Sequence, residues 1–231
     1  MTLQDQRVVL LGGTSGIGLA TARLATAHGA TVIVASSNPE SVRRALGVLP
    51  ASASGTVCDL TDPAAVGAFF DRLDPFDHLV YTAGEALSLL EIRSLDLARA
   101  RQAFELRYFG ALNAVHAATP KIRRSVVLTS GTAADRPGAG WSVAASICGA
   151  TDALVRALAV ELAPLRVNAV KPGVVRTPLW PDDFDYTATA ESLPVGRIGE
   201  PEDIAEAYVF LMNQTYATGS IVTVGGGNVL V

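Results

Sequence analysis

Apolar runs of strand length recur along the whole chain, at residues 8–11, 31–35, 55–57, 78–81, 125–129, 166–170 and 221–224, and Ala- and Leu-rich amphipathic segments fill the intervals. Short continuous apolar runs mark strands buried on both faces, and a helix between each pair makes the strands parallel, joined by right-handed crossovers. That alternation predicts an α/β fold: a doubly wound, Rossmann-type parallel sheet of about seven strands flanked by helices. No linker, composition break or internal repeat interrupts it, so residues 1–231 are expected to form one domain. A chain that is 49% hydrophobic with a mean hydropathy of +0.33 can fill such a core.

Charge and composition narrow the class. A net charge of -4 and a pI near 5.4 argue against a nucleic-acid surface, and the one basic cluster, Lys121-Ile122-Arg123-Arg124, is expected to be a solvated loop end. The longest apolar runs break well short of the ~20 residues that cross a bilayer, and the stretch from Met1 to Arg7 lacks an apolar signal core. A cytoplasmic protein that binds neither nucleic acid nor membrane is expected. Cys58 and Cys148 are far apart and without metal-ligand spacing, so neither a disulfide framework nor a metal site is indicated.

The first turn carries the clearest chemistry. Val8-Val9-Leu10-Leu11 runs into Gly12-Gly13-Thr14-Ser15-Gly16-Ile17-Gly18 and then into a helical pattern over residues 19–28. Glycines permit a tight turn and close backbone approach, while a helix amino terminus offers unpaired N–H groups and partial positive charge to a pyrophosphate.

The spacing Gly12, Gly16, Gly18 differs from G-x-G-x-x-G and resembles the short-chain dehydrogenase/reductase family. Further segments match in order. Cys58-Asp59-Leu60 resembles the segment that meets the adenine, and Tyr81-Thr82-Ala83-Gly84 stands where the family usually has Asn-Asn-Ala-Gly. Arg166-Val167-Asn168-Ala169-Val170, then Pro172-Gly173, Val175 and Thr177, resemble the strand and loop at the nicotinamide end. Pro201-Glu202-Asp203-Ile204-Ala205 and the segment from Thr218-Gly219 to Gly227 resemble the last helix and strand, with Gly225 where an aspartate is common. The resemblance implies a nicotinamide dinucleotide held by Gly12, Thr14, Ser15, Gly16, Ile17, Gly18, Asp59, Leu60, Ala83, Gly84, Pro172, Gly173, Val175 and Thr177. It also implies a homodimer or homotetramer through long helices over residues 97–119 and 143–163.

The second strand ends in Ala35-Ser36-Ser37-Asn38, with no acid to bind a ribose 2′-hydroxyl. Ser36, Ser37 and Asn38 leave room for a 2′-phosphate, and Arg43 or Arg44 supplies charge unless both point to solvent. NADP(H) is therefore favoured over NAD(H).

The family's hydride chemistry uses a serine, a tyrosine, a lysine four residues after the tyrosine, and an asparagine. A tyrosine of ordinary pKa, about 10, needs a neighbouring cation to move protons efficiently at neutral pH. Aligning on Arg156-Ala157-Leu158-Ala159-Val160-Glu161-Leu162-Ala163 puts Ala144 in the tyrosine slot and Cys148 in the lysine slot. Gly131 takes the serine slot beside Ser130, and Arg107 the asparagine slot. The only lysines are Lys121 and Lys171, and no tyrosine lies between Tyr108 and Tyr186, so no gap placement restores the pair.

Four substitutes carry alternatives. Ser130 binds a carbonyl oxygen or satisfies backbone at a strand end. Cys148 is a reactive thiol or a packed small hydrophobe. Lys171 is a desolvated acid beside the site or a surface lysine. Arg107 binds an anionic group or pairs with Glu105, Glu91 or Asp135. Trp141 and Trp180 are expected to wall the cleft, and the lid over residues 177–199, with Trp180, Phe184 and Tyr186, points to an apolar or aromatic small-molecule ligand. Two functions follow: an NADP(H)-dependent oxidoreductase acting on a carbonyl, alcohol or activated double bond with a displaced proton donor, or a catalytically silent dinucleotide-binding protein serving as redox sensor or assembly partner.

Overall fold

Val8, Val9, Leu10 and Leu11 are all fully buried, although neighbours on a strand point to opposite faces. Both faces of β1 (Arg7–Leu11) are therefore covered, the condition of a parallel sheet layered between helices. The computed structural model describes residues 2–231; Met1, the first residue of the amino-terminal stretch, lies outside them. Six more strands follow: β2 (Thr31–Ser36), β3 (Ser54–Val57), β4 (Phe76–Tyr81), β5 (Ile122–Thr129), β6 (Arg166–Pro172) and β7 (Ile221–Val224). They form one all-parallel sheet in the order β3-β2-β1-β4-β5-β6-β7.

The described residues form eight α-helices, of which all but α7 pack into the layers around the sheet: α1 (Gly16–Ala27), α2 (Pro39–Leu46), α3 (Pro63–Asp71), α4 (Leu97–Phe104), α5 (Gly110–Ala118), α6 (Ser142–Glu161), α7 (Tyr186–Ser192), which buries no residue, and α8 (Pro201–Asn213). Val9, Leu11 and Leu79 pack with Phe69 and Phe70 of α3, Ala114 of α5 and Val155 of α6. Val8, Leu10 and Val80 pack on the other face with Ala22 of α1, Ala45 of α2, and Ile204 and Tyr208 of α8. Burying such side chains contributes roughly 1.5–3 kcal/mol each. The chain runs outward from β1 through β2 to β3 and then crosses back to β4 on the other side of β1, so a crevice opens at the carboxyl ends of β1 and β4, the switch point at which such sheets take ligands.

Three local expectations change. The basic cluster is not a loop end: Ile122-Arg123-Arg124 opens β5, Arg124 pairs with Asp77, and Lys121 donates to the carbonyls of Asp71 and Leu73. The helix expected over 97–119 is interrupted by a π turn (Glu105–Phe109), where the Gly110 N–H reaches Glu105 O and the Tyr81 hydroxyl donates to Leu106 O at 2.6 Å. Finally, α6 is long and apolar enough to cross a bilayer, contrary to the reading of its sequence. It is accounted for as a flanking helix whose Ile147, Thr151, Val155 and Leu158 are buried.

Candidate cofactor and substrate site

The turn after β1 is built for close approach. Gly12 has φ +87°, and a Cβ there would lie 2.5 Å from Ala83 N; a Cβ on Gly18 would run into Gly12 O. The helix starts at Gly16, three residues earlier than its apolar pattern indicates, so the glycine turn itself forms the first turn of α1. Ser15 makes no side-chain cap, and α1 has no acid in its first turn. By contrast α2, α3, α4 and α7 receive a side-chain cap, from Asn38, Asp62, Asp96 and Asp185, and α8 the Glu200/Asp203 box, while α5 and α6, like α1, have none. The uncapped N–H groups of α1 face the crevice, as a bound pyrophosphate requires.

That crevice is a cavity of about 1160 Å³. Gly12, Thr14, Ser15, Gly16, Ile17 and Gly18 line it from the first turn, Ser36 and Ser37 from the end of β2, Asp59 and Leu60 beyond β3, and Ala83 and Gly84 beyond β4. Pro172, Gly173, Val175 and Thr177 line it from the end of β6. Asp59 Oδ1 accepts from the Thr61 N–H and hydroxyl, which holds its carboxyl below the ordinary aspartate range. The lining thus fits an extended dinucleotide: a glycine cradle, an uncapped helix and an acid fixed in place.

Three expected contributors, Asn38, Arg43 and Arg44, are absent from the lining. Asn38 Oδ1 accepts from the N–H groups of Glu40 and Ser41, so its carbonyl is spent capping α2. Arg43 pairs with Glu40, and Arg44 donates to Ser41, so neither is drawn to the crevice.

The four residues that the sequence reading places in the slots of the proton machinery converge on the same cavity: Arg107, Gly131, Ala144 and Cys148 all line it. Arg107 stands in the π turn, a device that re-aims helical side chains. Its guanidinium lies so close to Gly84 that a Cβ there would be 2.7 Å from Nη1. Its partner is none of Glu105, Glu91 or Asp135: Nε donates to Glu85 Oε1 at 3.1 Å, and Nη2 donates to the Glu85 carbonyl. Glu85 was missed, although it directly follows the Ala83-Gly84 segment already placed in the site.

Ser130 lines the cavity and donates to Asp152 Oδ1 at 2.6 Å rather than to backbone alone. Asp152 Oδ2 lies 2.7 Å from Lys171 Nζ, which donates also to Asp135 Oδ2 at 2.7 Å. Lys171 is buried, which overturns the surface reading, and it does not line the cavity. Burial alone would depress its pKa, but the hydrogen bonds to Asp135 and Asp152 outweigh that and hold it above the ordinary lysine value. It is thus the opposite of a desolvated acid. Asp152 also went unread; residues 144, 148 and 152 share one helical face, so extending the stripe by one turn would have found it.

Burial pushes the Cys148 thiol up to about 11, which leaves it protonated and favours the small-hydrophobe reading. A Cβ on Gly131 would sit 3.0 Å from its Sγ. Trp141, Trp180 and Phe184 form an aromatic wall, with Trp180 and Phe184 ring centroids 4.3 Å apart, and Trp180 Nε1 donates to Val175 O. Tyr186 stands outside the lining, stacked beneath the Arg176 guanidinium.

Comparison with known proteins agrees with this fold. Residues 12–228 match the family model described as enoyl-(acyl carrier protein) reductase. The short-chain dehydrogenase/reductase malC of Malbranchea aurantiaca is 34% identical over 254 residues, covering 99% of this chain and 96% of the relative. A solved small-chain dehydrogenase in complex with NADPH superposes with a TM-score of 0.86 at 31% identity, covering 99% of this chain and 100% of that one. The MalC reductase/Diels-Alderase structure, also from Malbranchea aurantiaca, gives 0.91 at 30% identity, covering 99% and 97%.

Proposed function

The chain belongs to the short-chain dehydrogenase/reductase family, and on that premise we propose that it is an NADP(H)-preferring oxidoreductase acting on an apolar or aromatic substrate, with its proton route moved from the family's tyrosine to Ser130. The observation that carries this reading is the convergence, in one cavity, of the uncapped α1 terminus, the serine pair closing β2 and Ser130. The NADPH-bound relative among solved structures supports the choice of dinucleotide.

When bound, a nicotinamide dinucleotide supplies or takes up the hydride. Gly12 to Gly18 would hold its pyrophosphate, Asp59 and Leu60 its adenine, Ser36 and Ser37 its 2′-phosphate, and Pro172 to Thr177 its nicotinamide end. Ser130 meets the substrate oxygen. Asp152 accepts from the Ser130 hydroxyl and orients it, Lys171 and Asp135 hold Asp152 in place, and the proton that Ser130 gives to the substrate oxygen is replaced from solvent. Lys171 acts as positioning charge in this chain.

An atypical tetrad has a kinetic consequence. With Ala144 and Cys148 in place of acid and cation, and with a serine hydroxyl a far weaker acid than a cation-activated tyrosine, most of the general acid contribution of roughly 10²- to 10⁴-fold is forgone. We expect rates on simple ketones lower than ordinary family members by about that factor, measured as NADPH oxidation at saturating ketone.

A second reading, a silent dinucleotide-binding sensor or assembly partner, is favoured by the doubly paired Lys171 and the protonated Cys148, which leave the cavity without a free cationic acid. The two are separated by incubating the protein with 4-deuterated NADPH and a library of aromatic ketones, enals and enones. Deuterium appearing in a product, by mass spectrometry, supports the oxidoreductase; bound cofactor that never transfers label supports the sensor. A homodimer or homotetramer belongs to either reading.

A further inference from the structure

We propose that the outer end of the cavity is an anion clamp, in which Arg99 and Arg136 hold the carboxylate or phosphate of an aromatic substrate whose ring lies against Trp141 and Trp180. This rests on the reading of the cavity as a substrate site. It concerns the end remote from the glycine turn.

Three guanidinium groups line the cavity: Arg99, Arg107 and Arg136. Arg107 is already paired with Glu85. Among the described residues, Arg99 and Arg136 form no ion pair. The one polar side-chain contact of Arg99 is a marginal 3.5 Å approach to Ser88 Oγ. The only carboxylate side chains in the lining are Glu85, neutralised by Arg107, and Asp59, held by Thr61 near the adenine end. Among the described residues, two guanidinium groups therefore line the cleft without an ion-pair partner, in a chain whose net charge is -4. A cleft with low-dielectric walls focuses such a field, and a guanidinium pairs with a carboxylate or phosphate in bidentate fashion.

Local structure ties these charges to the aromatic wall. Arg99 shares its cavity-lining stripe with Gln102, Leu106 and Arg107, at spacings that put them on one side of α4 and its π turn. Arg136 and Trp141 are joined by a tightly folded loop: a Cβ on Gly138 would lie 3.2 Å from Trp141 Cδ1. Charge and ring are thus presented together, and a neutral aromatic compound would use only half of the site.

Both tryptophans of the chain line the cavity, so intrinsic fluorescence reports on it directly. The test uses NADPH-saturated protein, which blocks the pyrophosphate cradle, and three probes: naphthalene-2-carboxylate, 2-naphthyl phosphate and neutral 2-acetylnaphthalene. Affinities are measured by calorimetry, with tryptophan quenching as the sign of location. The expected result is that one of the anions binds at least ten-fold tighter than the ketone, which of the two identifying the group. Arg99→Gln and Arg136→Gln should each reduce that ratio several-fold, as should added salt. Equal binding of all three probes, or a ratio that neither substitution moves, overturns the clamp. NADPH binding is read separately: if it is normal while charge discrimination is absent, the clamp fails and the cofactor reading stands. If NADPH does not bind while the anion preference persists in the cofactor-free protein, the cofactor reading fails alone.

Discussion

At the scale of single residues, two buried charge arrangements make predictions of opposite kind. His78 is fully buried, with Nδ1 accepting from Ser125 and Nε2 donating to Gln6, and burial drives its pKa down to about 3. The unfolded chain protonates this histidine near its ordinary value while the fold resists, so its stabilising contribution is complete above about pH 6.5 and is lost as the pH falls towards 3. Between those limits it should steepen the loss of unfolding free energy by up to about 1.4 kcal/mol per pH unit. His78→Gln should remove that component of slope in urea titrations; an unchanged slope would contradict it. Lys171 works differently, since Lys171→Met leaves Asp152 buried with Ser130 alone. Losing one partner of a buried pair costs about 3–5 kcal/mol. Adding Asp152→Asn should recover more than half of that loss in thermal or denaturant unfolding, whereas a surface lysine would show neither effect. These partners were illegible in the sequence because they join positions 19 or more apart on separate elements. Only the helical stripe through Ala144 and Cys148 pointed towards Asp152.

At the scale of elements, the account separates residues that build a turn from residues that touch a ligand. Asn38 is assigned to the cap of α2, so Asn38→Ala should cost about 1 kcal/mol of stability and change NADPH affinity little. A large loss of affinity at unchanged stability would return Asn38 to the cofactor site. Gly18→Ala should do the reverse in kind: its Cβ meets Gly12 O, so the turn must open and NADPH binding should fall by at least ten-fold. A Gly18→Ala protein that binds NADPH normally would show that this turn is not the cradle. The strands and the glycine turn were readable because each is set by local pattern: an apolar run, a glycine where φ turns positive. The π turn was not. It depends on a hydroxyl from β4 reaching Leu106, a contact between residues 25 apart that no helical periodicity records.

For the whole molecule, the switch point between β1 and β4 is where a sheet of this kind takes ligands; the alternation of strand and helix announced the parallel sheet, and the strand order located that point. What alternation does not carry is which charges face that point, since Glu85, Arg99 and Arg136 come from loops and a helix end whose direction is set by packing. Leu97, Phe109 and Val160 are exposed on α4, the π turn and α6, so association through these elements would cover apolar surface. Light scattering should therefore give a dimer or tetramer, and a stable monomer at micromolar concentration would contradict that. The central claim remains that the cavity is a nicotinamide dinucleotide site with a preference for the 2′-phosphate. Calorimetric titration of nucleotide-free protein with NADPH and NADH tests it most directly. Saturable binding of NADPH, at least ten-fold tighter than NADH, is the predicted result; binding of neither, or tighter binding of NADH, would contradict the account.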